Sequence, residues 1–288
     1  MMLVNKHLLC PEAPKKDQKM IKEEFFGSDD QRAVLRRGRG MADLLSDDVR
    51  YSYYGRAVGL TSPDDGDIDQ IAALARVQGN SNCSAVPLHK VDKVKSELEA
   101  RGLTPMHYVK WEGADTALKA ARQVVEAFKL PENLRMIQLD AATPAPYLAS
   151  LAEMALECGV LPLCGEQLRG LLKPAVCLIA VDQDSHVVSC AASSTFAHSD
   201  HVIFGRQAWW GMLATHPARR GQRLALILGA HTMLAMEAQY GLQDFMTGIE
   251  PGNAPSEAVC TRMGLTPTQF AIIGCADPRA LTSGRMTK

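Results

Sequence analysis

The sequence predicts a mixed α/β (α+β) fold in two parts, and three observations carry that expectation. At 288 residues the chain exceeds one typical domain of roughly 100–200 residues and suits two. Hydrophobic residues make up 47% and charged residues 22%, enough apolar material for real cores. In the second half, strand-like and helix-like segments follow one another without a regular βαβ alternation, which points to one sheet of mixed order with helices against it.

Taken in order, residues 1–40 are charged and short of apolar periodicity, and read as a partly ordered leader. Within it, Arg37-Gly38-Arg39-Gly40 reads as a basic loop. A smaller α/β unit spans 41–130: an amphipathic helix at 67–77, a Gly/Asn/Ser-rich loop at 79–84, a helix at 91–101, a strand at 107–111 and a helix at 114–128. Leu130-Pro131-Glu132-Asn133 reads as a linker, because Pro stops the preceding helix. The second unit, 134–288, opens with a strand at 135–139 and a helix at 146–157. Two strands, 176–181 and 186–194, flank Asp182-Gln183-Asp184-Ser185, a hairpin turn by composition. A strand at 207–215 runs into a Pro/Arg/Gly turn and a helix at 223–239. That helix is apolar on nearly all sides as far as Met236, the pattern of a helix buried against a sheet. A strand at 244–249, a helix at 253–263 and a strand at 269–273 complete the order.

Charge excludes some partners. The net charge of −1 argues against nucleic acid or an anionic membrane, both of which demand a Lys/Arg-rich face. No stretch approaches the roughly 20 apolar residues of a membrane span. Met1-Met2-Leu3-Val4 breaks at Asn5-Lys6 before a signal-like segment develops, so a cytoplasmic protein is expected. The eight cysteines form no CxxC pair and no His cluster gives zinc spacing, so no metal is expected and the thiols read as reduced. His198-Ser199-Asp200-His201 lacks a further ligand for a metal and reads as an exposed loop.

One segment recurs. Arg101-Gly102-Leu103-Thr104-Pro105 echoes Met263-Gly264-Leu265-Thr266-Pro267, each a helix ending on Gly before a turn into a strand. This is either a common helix-to-strand corner or the remnant of a tandem duplication. At the same offset, Val91 stands where Asn253 stands in the second half.

The chemistry concentrates at Ala214-Thr215-His216-Pro217-Ala218-Arg219-Arg220-Gly221-Gln222-Arg223-Leu224-Ala225. Here a strand ends, the chain turns and a helix begins, so successive N–H groups and the helix dipole face one concavity. With Arg219, Arg220 and Arg223 beside it, this is a pyrophosphate cradle. One helix and one strand later comes Asn253-Ala254-Pro255-Ser256, ending at Met263-Gly264-Leu265. The pair of segments resembles the two signatures of the GNAT N-acetyltransferases. Arg220 and Ala225 match the loop pattern [Q/R]-x-x-G-x-[G/A], while Asn253, Ser256, Gly264 and Leu265 match the helix pattern N-x-x-[S/A]-x-x-x-Y-x-x-x-G-[F/L]. Two positions depart: Arg223 stands at a usual Gly, and Cys260 at the usual Tyr. Arg37–Ala42 also fits the loop pattern literally, but too few residues precede it for the strands that lead into such a loop.

The resemblance implies a central, mostly antiparallel sheet flanked by helices, with the smaller α/β unit before it and a degenerate half-copy of the same fold as one account of that unit. It implies acetyl-CoA as cosubstrate, direct transfer to an amine of a small molecule or protein, and a V-shaped gap between strands 207–215 and 244–249. The residues it assigns to the cosubstrate are Ala214, Thr215, His216, Arg219, Arg220, Gly221, Gln222, Arg223, Leu224, Ala225, Asn253 and Ser256, with backbone groups of Ala214 and Thr215 on the pantetheine. Cys260 is either the proton donor to the departing thiolate or a packed core thiol. Glu250 is either a general base or a solvated strand-end carboxylate, with His198, Asp200, His201 or a water as other bases. Trp209 and Trp210 must face opposite sides of their strand, one toward the core and one toward the acceptor pocket. The first unit is expected to wall the acceptor site or to mediate homodimerisation. A CoA-binding module without catalysis, or an acyltransferase for a longer chain or an oxygen acceptor, remains the alternative.

Overall fold

The computed structural model describes residues 24–64, 66–282 and 286. The part of the expected leader before residue 24 lies outside the described residues. The rest of that segment forms a helix rather than a leader or loop: α1 (Asp29–Leu44) starts at a capping box in which Ser28 and Gln31 satisfy each other's backbone N–H. Arg37-Gly38-Arg39-Gly40 therefore lies within α1. Val34 and Leu35 are fully buried, and a side chain at Gly38 would strike the backbone of Arg56 and Ala57. The helix is held by tertiary burial, a signal that its charged composition hides.

After α1 come β1 (Tyr51–Tyr53), β2 (Val58–Leu60), α2 (Ile68–Gln78), β3 (Asn80–Pro87), α3 (Val91–Ala100), β4 (Thr104–Gly113) and α4 (Asp115–Ala127). The second half holds β5 (Arg135–Gln138), α5 (Ala145–Glu157), α6 (Gly165–Leu168), β6 (Ala175–Val181), β7 (Val187–Thr195), β8 (Gln207–Thr215), α7 (Leu224–Tyr240), β9 (Asp244–Ile249), α8 (Ala254–Arg262) and β10 (Thr266–Ala276). All ten strands form one sheet, in the order β1-β2-β3-β10-β4-β9-β8-β7-β6-β5. Only β2–β3 and β8–β9 are parallel, so the sheet is mostly antiparallel, as expected.

Two expectations are corrected. The Gly/Asn/Ser-rich 79–84 segment is mostly strand, because β3 takes an edge of β10, with Asn82 opposite Gly274 and Asn80 opposite Ala276. The two units also do not have separate sheets. β4 lies between β9 and β10, and β10 lies between β3 and β4, so each half gives a strand to the other.

The exchange follows a repeat. Gly79 and Gly241 both end helices in the left-handed region, as do Gly102 and Gly264 after theirs, and both pairs are 162 residues apart (241 − 79 and 264 − 102). At that separation β3-α3-β4 overlies β9-α8-β10 in element type and order, and the parallel pair β2–β3 answers to β8–β9. The echo at Gly102 and Gly264 is thus part of a longer correspondence.

The second half carries the larger core. α7 packs over β6, β7 and β8, with Leu224, Leu228, Met233 and Met236 buried against Trp210 and Phe245. Trp210 is wholly buried, and its indole N–H donates to Gly229 O at 3.0 Å. A side chain at Gly229 would collide with that indole, so the helix needs glycine there despite its propensity cost. On the opposite face, α5 covers β7 and β8 and α6 lies against β6, with Leu148, Leu151, Leu163 and Leu168 buried in that core. Among the described residues no helix is long and apolar enough to cross a membrane.

The two repeat glycines should respond differently to a methyl group. Both have positive φ, 71° at Gly102 and 73° at Gly264, so alanine is strained at either by about 1 kcal/mol. A Cβ at Gly102 meets open space, whereas at Gly264 it would lie 2.4 Å from Thr116 O. Gly102→Ala is expected to cost about 1 kcal/mol and Gly264→Ala roughly 3 kcal/mol or more in urea unfolding. Equal losses would place the seam between β10 and α4 elsewhere.

Candidate functional site

The site begins where two parallel strands part. β8 pairs with β9 at only three positions, Gln207 with Asp244, Ala208 with Phe245 and Trp209 with Met246. Beyond Met246, β9 continues its ladder with β4 on the other side, through Thr247, Gly248 and Ile249. Beyond Trp209, β8 turns toward β7 through a bulge, with Met212 and Leu213 together opposite Ala191 and Met212 at φ +53°. The strands are fastened below this opening. Gln207 Nε2 donates to Glu112 Oε1 at 3.0 Å and Asp244 Oδ2 at 3.2 Å, and Lys110 Nζ sits 2.6 Å from Glu112. Lys110 is 1% exposed and lies over the Phe204 ring at 4.2 Å. Burial lowers the Lys110 pKa and raises that of Asp244.

At the open end, His216 N–H donates to Val188 O, so strand alternation turns Ala214 toward β7 and Thr215 toward the gap. Ala214 O also accepts from Ser189 Oγ, and Thr215 O accepts from Cys158 Sγ at 3.3 Å. His216 takes the Ala218 N–H on Nδ1 and starts a short turn through Pro217 and Arg219. Gly221 follows at φ +82°, then Gln222 and Arg223, and α7 begins at Leu224. No side chain caps α7, so its first N–H groups, including those of Leu224 and Ala225, face outward beside Arg219 and Arg220. These residues, with Ala258, Val259 and Arg262 of α8, line a cleft of about 370 Å³.

Arg223 resolves one departure from the signature. It sits at φ +59°, ψ +21°, the left-handed geometry for which glycine is the low-cost residue. Its guanidinium lies 4.5 Å from the Phe128 ring centroid, an attraction that offsets part of the strain. Asn253 caps α8 by accepting the Ser256 N–H at 3.2 Å, so both hold the helix that forms the far wall of the gap. Cys260 is 4% exposed on that helix, and desolvation pushes its thiol up to about 12. Glu250 is exposed at the end of β9. His198, Asp200 and His201 belong to a loop stitched by its own backbone, with Asp200 N–H on His198 Nδ1 and Ile203 and Phe204 N–H on His201 Nδ1.

The gap opens into a larger cavity of about 510 Å³ that both halves line. Glu250, Asn253, Ser256 and Cys260 border it from the second half, with Trp209 as expected for one of the two tryptophans. His198, Asp200 and His201 do not line it, so the structure does not bring these three candidate bases to the site. The first half supplies residues that the sequence did not reveal: Tyr54, Arg56, Asn80, Asn82 and Tyr108. Tyr54 stacks on Phe196 at 4.8 Å, meets Trp209 edge-on at 6.5 Å, and shares a 2.6 Å hydrogen bond with Ser84. The repeat correspondence could have pointed to Asn82, which stands on β3 where Asp244 stands on β9. Nothing in the local sequence singles out Arg56.

The splayed parallel pair, the bulge beside it and the uncapped helix at its mouth decide the architecture. The fold is that of the GCN5-related N-acetyltransferases. No family model matches the sequence, and no curated protein is similar to it in sequence. Among solved structures, a Drosophila protein is 15% identical over 86% of this chain and 89% of its own, with a TM-score of 0.51. A GCN5-related N-acetyltransferase from Kribbella flavida is 13% identical, covering 76% and 80%, at 0.49. A tandem GNAT protein from the clavulanic acid biosynthesis pathway is 16% identical, covering 71% and 66%, at 0.47.

Two substitutions test the mouth of the gap. Gly221→Glu introduces strain at φ +82° and a negative charge beside the outward N–H groups, with no steric clash. If CoA binds at this mouth, as the sequence resemblance implies, the variant is expected to abolish the thermal shift that millimolar CoA would produce. Arg223→Gly relieves the left-handed strain and removes the contact with Phe128. It should leave CoA affinity within a few-fold, measured by calorimetry, whereas a loss of tenfold or more would put that guanidinium on the phosphates.

Proposed function

We propose that the chain is an acetyl-CoA-dependent N-acetyltransferase. The observation that carries this reading is the gap between β8 and β9 opening directly onto the uncapped N-terminus of α7. The residues present fit the cosubstrate. Outward N–H groups at Leu224 and Ala225, with Arg219 and Arg220 alongside, suit a pyrophosphate, and the unpaired edge at Thr215 suits an extended chain bearing amides. Acetyl-CoA supplies an activated acyl group; the chain's own groups orient it and exclude water. Bulge N–H groups near Met212 and Leu213 would donate to the acyl oxygen as it gains negative charge. Glu250, at the rim where gap and cavity join, is our candidate for taking the acceptor's proton, directly or through a water. The seven described cysteines are thiols rather than disulfides, which fits the reducing, cytoplasmic setting we infer.

A second reading, CoA binding without turnover, draws on Cys260. A thiol pushed up to about 12 by desolvation is a poor donor to a thiolate whose reference pKa is near 8.5, since the transfer runs uphill. The two readings part in a thiol-release assay with acetyl-CoA and a panel of amines, run beside the CoA thermal shift. Release above the hydrolysis background supports the enzyme, and a shift without release supports the binding module. Cys260→Ala is expected to keep turnover within a few-fold and to cost about 1 kcal/mol of stability as a packed side chain is trimmed. A fall of about 10²–10⁴-fold in kcat with unchanged acetyl-CoA affinity would instead make Cys260 the proton donor.

A further inference from the structure

We propose that the acceptor is an amino carboxylic acid whose carboxylate is held by Arg56, on the wall that the first half gives to the cavity. The inference rests on the acetyltransferase reading and names its substrate class. Arg56 lies in the turn between β1 and β2. Its Nε and Nη2 both donate to Leu161 O, the former at 3.1 Å. Among the described residues, that single neutral acceptor leaves the N–H groups of Nη1 without a protein partner, and no carboxylate lies within ion-pair distance of the guanidinium. Arg56 is partly exposed on the cavity wall, where an anion would offset the desolvation that lowers its pKa to about 10.

The surroundings extend the same chemistry. Asn80 Nδ2, on the adjoining β3, is buried with no hydrogen-bond partner among the described residues, and Asn80 lines the cavity. Asn82 lines it too; its Oδ1 accepts from Ser84 Oγ at 3.5 Å, leaving its amide donors for the cavity. Together they offer a set of N–H donors around one positive charge, which suits a carboxylate. Among the described residues that line the cavity, Arg56 is the one cation and Glu250 the one carboxylate. A phosphate ester carrying nearly two charges would be half compensated here, whereas an acceptor with one ammonium and one carboxylate matches both ends. Met106, Ile272, Tyr54 and Trp209 give the space between an apolar lining, so the acceptor's middle is hydrocarbon or aromatic.

The test uses reaction products, so that binding is read without turnover. N-acetyl-α-amino acids, N-acetyl-ω-amino acids and the carboxamide of each are titrated by calorimetry into the full chain with CoA present. N-acetyl-O-phosphoethanolamine is the phosphate arm. At least one acid is expected to bind tenfold or more tighter than its carboxamide, with Arg56→Met abolishing that preference and Arg56→Lys retaining part of it. Asn82→Asp keeps the oxygen that Ser84 uses and replaces the amide donor, so it should weaken the acid about tenfold while the carboxamide changes little. The proposal is overturned if no acid binds, if acid and carboxamide bind alike, if the phosphate binds best, or if the preference survives in Arg56→Met. The CoA thermal shift and the thiol-release assay, run on the same protein, report separately whether the parent reading stands.

Discussion

The structure depends on the pairing of β4 with both β9 and β10. A half-repeat such as β3-α3-β4 has a bare edge and an apolar face, and exposed edges invite pairing with whatever strand is near. Here the vacancy beside each half is filled by the other half's last strand, β10 beside β3 and β4 beside β9. Ladder hydrogen bonds therefore cross the boundary that length and linker composition suggested. The cavity follows from this arrangement, because its floor takes Asn82, Gly274, Met106 and Tyr108 from strands of both halves. Any shift of β4 against β9 would move the first-half wall relative to the gap between β8 and β9.

The opening between β8 and β9 is held by contrasting devices at its two ends. Below, Gln207 spans Glu112 and Asp244, and Lys110 stands nearly dry against Glu112 and the Phe204 ring. Groups so buried are worth keeping together because separating them leaves a charge unsatisfied in a medium of low polarity. Above, the bulge at Met212 and the left-handed Arg223 bend the chain away from the ladder at a cost of roughly 1 kcal/mol each. Strain on one side and a charge clasp on the other keep the strands splayed over a short distance.

The sequence made the second half legible because its signals are local. The strands Gln207–Thr215 and Asp244–Ile249 are short runs beside the motif, the helix before β9 is apolar on nearly all sides, and the turn between β8 and α7 is marked by its Pro, Arg and Gly. The first half hid more. Asn80-Ser81-Asn82 has turn composition, yet β10 supplies its hydrogen bonds and Ser81 is fully buried. In α1, two glycines and several arginines mask a helix whose stability comes from Val34, Leu35 and the ion pair of Arg39 with Glu166 at 2.5 Å. Arg56 carried no signal, since its meaning lies in the Leu161 carbonyl 105 residues away and in the cavity beside it. Strand alternation puts Trp209 and Trp210 on opposite faces, but which of them is the core residue is legible only in the structure.

The two repeats also show how one frame serves two tasks. At the start of α7 the helix dipole is left uncovered, and Arg219 and Arg220 add positive charge. At the start of α2, the corresponding helix, Asp67 accepts the Gln70 N–H at 2.9 Å and Asp69 lies in the first turn. A carboxylate already sits on the first-turn N–H groups, where an anion would otherwise bind. The first half thus has the helix geometry of an anion site with its charge reversed. Residues of the first half border the cavity instead: Tyr54, Arg56, Asn80 and Asn82. The shared sheet fixes the two halves in register, so acidic groups at the start of α2 and polar side chains on β3 are set against the cavity that the second half opens.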